Sequence, residues 1–280
     1  MTKLILVIVM RFFSLIFKYY KRLMKKSYST LSGSIAFFLI INGGSIAYLI
    51  MLIADLFDFK FEVSNPTLNT FLRSIESRVD YSNSFFAIFF IITSIYGASS
   101  LFFHLLKTGE MIYEEVNDKF TIIRRLTAII FLLATIFIIE LFFILLVLGD
   151  NVFPNYFWHV IKYIILLFIP YFISICINFF VTPHSVKFKE INKGACFTTL
   201  FWYVVTIGFT IYIKVFTNYK AIYGALTFFI VFMIWIYLLA QGLIIGIILN
   251  YYEKEKNARL LREIAVNTII GTPKEDNETI

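Results

Sequence analysis

The chain has 280 residues, of which 60% are hydrophobic and 15% are charged, and its mean hydropathy is +0.83. A surface of this composition is too apolar to face water, so most of it must face lipid. The net charge of +7 does not indicate nucleic-acid binding, because the Lys and Arg residues fall in the gaps between apolar segments, where they report membrane topology.

The first 28 residues are basic and contain short apolar stretches. At about 100° per residue, Arg11, Lys18, Arg22 and Lys25 fall on one side of a helix, which is typical of a cationic helix lying in the membrane interface. A positive flank that only sets topology explains the same residues. Both interpretations stay open, and residues 1–28 are predicted to form a cytoplasmic or interfacial segment.

Six apolar segments follow, each long enough to cross a hydrocarbon core that needs about 20 helical residues. They are residues 30–57, 84–106, 126–149, 157–182, 194–216 and 218–252. We therefore predict an all-α polytopic membrane protein: a bundle of six transmembrane helices over residues 29–252, with an N-terminal interfacial amphipathic helix. Residues 253–280 are hydrophilic and predict a cytoplasmic tail that ends in disorder. The polar gap at 58–83 predicts a short surface helix.

The first two spans carry small and polar residues near their middles. Asn42, Gly43, Gly44 and Ser45 lower helix propensity at bilayer depth, which predicts a break or a close helix crossing there. In the second span, the segment from Tyr96 to Ser100 is a small-residue patch suited to helix contact.

Glu140 is the only acidic residue deep inside a span. A carboxylate facing lipid costs at least ~2.5 kcal/mol, so we expect the side chain to face the bundle interior. The short turn at 150–156 predicts that the third and fourth spans form an antiparallel hairpin, which makes Lys162 the first choice of partner. Lys214, or a protonated Glu140 bonded to Asn42 or Ser45, are the alternatives. A structural hydrogen bond and a substrate or proton site both remain open.

The sixth span combines small residues with side-chain amides. Gly242 and Gly246 form a GxxxG pair that permits close approach of another helix, while Gln241 and Asn250 offer interhelical hydrogen bonds. The sixth span is thus predicted to be a packed helix. In the fourth span, Pro170 predicts a kink.

The remaining chemistry-bearing residues are scattered. Cys176 and Cys196 have no metal-ligand spacing, which predicts inert, buried thiols. His104 is expected to be structural or interfacial, in preference to a ligand or proton relay. We predict no catalytic residue, no metal site and no cofactor.

The basic residues predict the orientation. One face of the six-span topology carries 19 Lys and Arg residues and the other carries 6. Because cytoplasmic loops carry the excess of Lys and Arg, both termini are predicted to be cytoplasmic in a multi-pass protein of the inner or plasma membrane.

The pattern from residue 183 onwards is more specific than apolar filler. It comprises Pro183, Gly194, Trp202, Tyr223, Gly224, Trp235, Tyr237, Gly246 and Asn250. This pattern resembles the YihY/BrkB family of bacterial inner-membrane proteins, and the resemblance extends back to Tyr96–Ser99, Tyr113 and Arg124–Arg125. Two positions depart from the family pattern: Gly43–Gly44 stand where the family has a proline, and Ile248 where it has an acidic residue.

The resemblance implies a six-helix bundle and an envelope function that is poorly defined. Members have carried a ribonuclease label regarded as a misannotation, and others are linked to serum resistance or lipid handling. The residues also disfavour a nuclease, because phosphodiester hydrolysis needs clustered carboxylates or paired His and Lys groups. We therefore expect neither an enzyme nor a nucleic-acid partner.

Two hypotheses remain for the function. In the first, the protein transports or flips a lipid or other amphipathic molecule, with a polar path formed by Asn42, Ser45, Tyr96, Ser99, Glu140 and Gln241. In the second, it is a non-transporting membrane scaffold or envelope assembly factor, in which these residues only pack helices. A transporter is expected to direct its polar residues to one shared site, and a scaffold to bury them in pairs. The oligomeric state is not specified by the sequence.

Overall fold

A computed structural model describes residues 21, 23–56, 84–114, 121–152, 156–182, 186, 188–216 and 224–270. Regular structure in these ranges is entirely α-helical. The six long helices are α1 (Tyr28–Leu56), α2 (Ser84–Tyr113), α3 (Thr121–Val152), α4 (Tyr156–Val181), α5 (Phe188–Phe216) and α6 (Gly224–Ile270). The fold is therefore all-α, as predicted.

Five of these helices contain a segment long and apolar enough to cross a membrane. The segments are Tyr28–Ile50, Thr121–Phe142, Val160–Val181, Lys189–Lys214 and Phe229–Ile264. Helix α2 is not among them, and its described part is rich in small and polar residues such as Ser99, Ser100 and His104. The molecule is thus a multi-pass membrane protein by helix length and composition, while the count of six spans stays a prediction.

The six helices form a closed bundle in which neighbours in sequence are also neighbours in space. Each helix contacts the next, and α6 returns to contact α1; the α5–α6 contact is the most extensive. Helices α3 and α4 are neighbours, as the short turn between them predicted. The buried core is built mainly by α1, α2, α3 and α6, with side chains such as Leu105, Ile112, Leu132 and Ile244, and α4 adds Val181.

Many large apolar side chains are exposed on the outer surface. Ile130 on α3 and Val204 on α5, for example, are 67% and 70% exposed. Contiguous exposure of large apolar residues is unfavourable in water but stabilises a helix bundle in lipid, so the surface agrees with a bilayer environment.

Three helices bear on the local expectations. Helix α1 runs without a break through Asn42–Ser45, so of the two outcomes expected there the break is excluded and the close helix crossing remains. Helix α4 stays helical through Pro170, and the kink at Pro170 stays a prediction. Helix α6 continues to Ile270, so residues 253–270 are helical, in agreement with their content of Glu, Lys, Leu and Arg, all good helix formers. Residues 1–20, the predicted surface helix at 58–83 and residues 271–280 lie outside the described ranges.

Candidate functional site

Glu140 lies inside the bundle, as the sequence predicted. Ala128, Leu132, Ile136 and Glu140 follow one another at every fourth position of α3, and each is at most 1% exposed. This spacing places the four side chains on one face of the helix. Glu140 therefore continues an otherwise apolar buried stripe of α3.

The carboxyl group of Glu140 lacks the partners that the sequence suggested. Its Oε1 atom is buried and has no hydrogen-bond partner among the residues that the structure describes. None of the ion pairs found within the described ranges involves Glu140, so the expected pairs with Lys162 and Lys214 are not found there. Asn42 directs its amide Nδ2 elsewhere, to the carbonyl oxygen of Phe38 on its own helix, at 2.9 Å.

Asn42 and Ser45 meet α2 at Gly97. A Cβ atom built on Gly97 would lie 3.2 Å from Asn42 Oδ1 and 3.6 Å from Ser45 Oγ, so the absence of a side chain at Gly97 lets the two helices approach. A Cβ atom on Gly43 or Gly44 would meet no atom within 4 Å. The helix contact expected at Gly43 and Gly44 is therefore wrong, because the contacting face of α1 is the one that carries Asn42 and Ser45.

The other residues of the predicted polar path have separate surroundings. Ser99 is fully buried and donates to the carbonyl oxygen of Tyr96 in its own helix at 2.9 Å. Tyr96 itself is 64% exposed on the outer surface. Gln241 donates from Nε2 to the Tyr237 hydroxyl at 3.0 Å, and this hydroxyl lies 2.9 Å from Ser29 Oγ on α1. The structure thus joins Gln241 to α1 and leaves Glu140 outside these hydrogen bonds.

A buried amide network links α4, α5 and α6. Asn250 Nδ2 donates to Asn178 Oδ1 at 2.8 Å, and Asn178 Nδ2 donates to the Ser174 carbonyl oxygen at 2.8 Å. Asn250 Oδ1 accepts from the backbone N–H of Gly194 at 2.7 Å. Asn178 and Ser174 are not among the predicted site residues, although an asparagine inside an apolar run is itself a signal for an interhelical hydrogen bond.

The same network sits at a close crossing of α5 and α6. A Cβ atom on Gly194 would collide with the Gly246 carbonyl oxygen, and one on Gly246 would lie 2.7 Å from the Gly194 carbonyl oxygen. Thr198 Oγ1 donates to the carbonyl oxygen of Gly242 at 3.2 Å, and Gly242 packs against the Phe201 ring. The partner of the Gly242–Gly246 pair is therefore α5 of the same chain.

Most of the other residues in the sequence pattern that begins at Pro183 lie at contacts between helices. Trp202 Nε1 donates to the Leu239 carbonyl oxygen at 2.8 Å, and the Trp235 ring stacks on Phe209 with centroids 5.0 Å apart. Gly224 begins α6. Pro183 and Tyr223 lie outside the described ranges.

His104 and the cysteines also have defined surroundings. The His104 ring stacks on Phe38 with centroids 3.6 Å apart, which agrees with a structural role. Cys176 is half-buried and Cys196 is exposed, and both thiols are free. The expectation that both are buried is wrong for Cys196, because it lies on the outer face of α5, where an apolar side chain faces lipid.

Lys26 joins three segments at the end of the bundle where α2 finishes. Its Nζ atom donates to the Ile112 carbonyl oxygen at 2.6 Å and to Glu114 Oε1 at 2.7 Å, and it lies 3.9 Å from the centre of the Tyr251 ring. The hydrogen bond from Lys26, followed by its charge, lowers the pKa of Glu114. Ser27 and Glu114, which lie next to Lys26 in sequence and in its ion pair, respectively, both have positive φ angles, of 50° and 56°, a conformation that non-glycine residues rarely adopt.

Further polar pairs lie at this end of the bundle. They are Arg124 with Glu110 at 3.1 Å, Lys193 with Glu253 at 2.6 Å, and Asn257 with Glu190 at 2.8 Å. Each pair joins two helices: α2 to α3 in the first case and α5 to α6 in the other two. The helical extension of α6 beyond residue 252 is thus tied to the start of α5.

The chain matches curated proteins over part of their lengths. It is 26% identical over 171 residues to the ribonuclease-like protein YfkH of Bacillus subtilis (strain 168), which covers 56% of this chain and 62% of that protein. It is 31% identical over 90 residues to a UPF0761 membrane protein of Coxiella burnetii (strain Dugway 5J108-111), covering 30% of this chain and 32% of that protein. A UPF0761 membrane protein of Kangiella koreensis is 31% identical over 74 residues, covering 26% of this chain and 19% of that protein.

No solved structure matches the chain. At the level of the family, however, the match extends over nearly the whole sequence: residues 19–265 match the family described as virulence factor BrkB. The chain therefore belongs to the virulence factor BrkB family of membrane proteins.

Proposed function

We propose that this protein is a six-span protein of the bacterial inner membrane, with both termini cytoplasmic, that transports or flips a lipid or other amphipathic molecule. The observation that carries the proposal is the burial of Glu140 inside an apolar stripe with Oε1 unpartnered. A buried polar group without a hydrogen bond costs roughly 1–3 kcal/mol on protein scales, and an isolated charge costs far more. A carboxyl group in this position needs a proton, a cation or a polar substrate group to offset that cost.

Within the described part of the chain, this lack of a partner distinguishes Glu140 from a second buried acidic residue, Glu190. Glu190 is also buried, but its Oε1 accepts a hydrogen bond from Asn257 Nδ2 at 2.8 Å. The carboxyl group of Glu190 therefore has a hydrogen-bond partner within the protein, as a structural residue does. Intramembrane ionisable residues that face a bundle interior commonly mark substrate or proton pathways, which favours the transport hypothesis for Glu140.

A scaffold is the second candidate, and a different observation favours it. Several of the other polar residues described in the spans contact partners on the same helix or on a neighbouring one: Asn42 and Ser45 with Gly97, Asn178 with Asn250, and Tyr237 with Gln241. Such contacts are those expected of residues that only pack helices. In the transport hypothesis, these contacts hold the bundle together and Glu140 alone supplies the reactive group.

The two candidates are separated by reconstitution. Purified protein is placed in liposomes that contain a fluorescent phosphatidylglycerol, and dithionite quenching reports the movement of the probe between leaflets. We expect wild type to accelerate this movement over empty liposomes. We expect Glu140→Gln to slow it at least about tenfold, while Glu190→Gln, the matched control, stays close to wild type. Probe movement equal to that in empty liposomes would favour the scaffold, and a fully active Glu140→Gln variant would remove Glu140 from the pathway.

We further propose that the protein is not an enzyme, and in particular not a ribonuclease, and that it takes no nucleic-acid partner. The ribonuclease-like name belongs to the Bacillus subtilis relative. In this chain, His104 stacks on Phe38, and the acidic groups Glu110, Glu114 and Glu253 are paired with basic side chains. Incubating the purified protein with labelled RNA tests this proposal, since cleavage above that of a mock preparation would contradict it.

A further inference from the structure

Two consecutive arginines at the start of α3 have different electrostatic surroundings. Arg124 forms an ion pair with Glu110 through atoms 3.1 Å apart. The guanidinium group of Arg125 turns in the other direction along α2, and Nη2 donates to the Tyr96 carbonyl oxygen at 2.6 Å and to Ser100 Oγ at 3.0 Å. None of the ion pairs within the described ranges involves Arg125. Its positive charge is therefore solvated by neutral groups.

Aromatic rings hold the Arg125 guanidinium group at this position. Its Cζ atom lies 3.9 Å from the centre of the Tyr96 ring and 5.6 Å from the centre of the Phe103 ring. A cation over an aromatic face is stabilised by the ring quadrupole, more strongly when water is absent. Nε of Arg125 is buried without a hydrogen-bond partner among the described residues, and both hydrogen bonds given above use Nη2, so Nη1 supplies the donors for a ligand.

The arginine lies between α2 and α3 next to the surface that faces lipid. Tyr96 is 64% exposed, and Ile92, one turn earlier, is also exposed, as is Leu126 beside Arg125 on α3. Ser100 precedes Glu110 by ten residues, which is about 15 Å along the helix axis. The guanidinium group is thus placed about three turns inward from the charged end of α2, with apolar side chains around it.

We propose that Arg125, with Tyr96 and Ser100, binds the phosphate of an anionic phospholipid, whose acyl chains lie along the exposed apolar faces of α2 and α3. Charge complementarity carries this assignment, because a cation near lipid that lacks a carboxylate partner is expensive, and phosphate is the anion that the bilayer itself supplies. The two N–H groups of Nη1 can donate charge-assisted hydrogen bonds to the phosphate oxygens. Basic pockets between transmembrane helices bind phospholipid headgroups in this way. Lys107 is exposed one turn beyond Phe103 and adds to the positive potential. This site does not require that the protein moves lipid.

The test is a titration of delipidated full-length protein with phosphatidylglycerol, followed by native mass spectrometry. We expect Arg125→Gln to weaken binding of the first lipid about tenfold or more, as the loss of one charge-assisted contact does. Arg124→Gln makes the same charge change at the adjacent residue and is expected to stay within about twofold of wild type, because Glu110 already occupies that arginine. Inorganic phosphate at the same concentration is expected not to displace the lipid, since it lacks acyl chains.

A second measurement keeps the proposal testable if Arg125→Gln does not fold. Wild-type protein is photo-crosslinked to a phosphatidylglycerol with a reactive group near the glycerol backbone, and the adducts are mapped by peptide sequencing. We expect adducts on the Ile92–Phe103 segment of α2. Equal lipid binding by folded Arg125→Gln and wild type, or adducts confined to other helices, would overturn the site. Either result leaves the liposome assay of lipid movement unaffected, so this inference and the transport hypothesis can fail separately.

Discussion

Asn250 Nδ2 donates a hydrogen bond to Asn178 Oδ1 across 2.8 Å, and both side chains are fully buried between α4 and α6. The same Asn250 accepts from the backbone N–H of Gly194 through Oδ1, so one side chain connects three helices. An asparagine in an apolar environment is costly when its groups are unsatisfied. The satisfied network therefore favours this arrangement of α4, α5 and α6 over alternatives in which the amides lose their partners.

The first prediction concerns this network. We expect Asn178→Ala and Asn250→Ala each to lower the free energy of unfolding by about 1–3 kcal/mol, since each leaves a buried polar partner unsatisfied. The double variant is expected to cost less than the sum, with a coupling energy of about 1 kcal/mol, in the range measured for hydrogen bonds between membrane helices. Denaturation in mixed detergent micelles measures these values. Strictly additive effects would show that the two asparagines do not interact.

The second prediction uses the glycines as matched pairs. At Gly194 and Gly246, an added Cβ atom meets the backbone of the facing helix, whereas at Gly44 and Gly208 it meets no atom within 4 Å. We expect Gly246→Ala to destabilise the protein by about 1–3 kcal/mol, as overpacking of a close contact does. Gly44→Ala and Gly208→Ala are expected to be neutral or stabilising by up to about 1 kcal/mol, because alanine favours helix. Thermal unfolding of the three variants in one detergent compares them, and equal melting temperatures would contradict the crossing.

Much of the secondary structure follows from the sequence, because long apolar runs between charged gaps admit few structures in a membrane. Which face of each helix packs does not follow in the same way. The outside of the bundle faces lipid and also carries many large apolar side chains, so periodicity gives little indication of the buried face. Gly43 and Gly44 illustrate this: the same small residues suit a helix contact or a lipid-facing surface, and only the position of Gly97 shows that Asn42 and Ser45 make the contact.

At the candidate site, too, some features could be predicted from the sequence and others depend on how the helices pack. The burial of Glu140 could be predicted from the cost of exposing a carboxyl group to lipid. Its lack of a partner could not, because pairing depends on the rotation of α3 relative to α4 and not on the spacing along the chain. The crossing at Gly109, where a Cβ atom would collide with Val181 of α4, was missed for a similar reason. The sequence around a single glycine near the charged end of a helix does not predict which residue of another helix will contact it.

The third prediction concerns topology. With 19 of the 25 Lys and Arg residues on one predicted face, a reporter fused after Tyr252 is expected to be cytoplasmic and one inserted near Asn151 is expected to be external. Alkaline phosphatase and green fluorescent protein fusions report the two sides independently. If the phosphatase is active after Tyr252 and inactive near Asn151, the proposed orientation is inverted, while the packing of the helices is unaffected.

The last prediction is a pH dependence at the Lys26–Glu114 pair. The hydrogen bond and charge of Lys26 lower the pKa of Glu114 in the folded protein. A carboxyl group whose pKa is lowered in the folded protein stabilises the fold at any pH above its pKa in the unfolded chain, which is about 4.3 for glutamate. This stabilisation is lost as the pH falls through the pKa of the folded protein. At about pH 7, the melting temperature of wild type is therefore expected to be higher than that of Glu114→Gln. The difference between the two melting temperatures is expected to shrink progressively below about pH 4. Lys26→Met serves as the control background, since without the amine Glu114→Gln has no partner to lose and the two melting temperatures coincide at neutral pH. A difference between wild type and Glu114→Gln that is the same at both pH values would show that the carboxylate charge does not hold the end of α2 to Lys26.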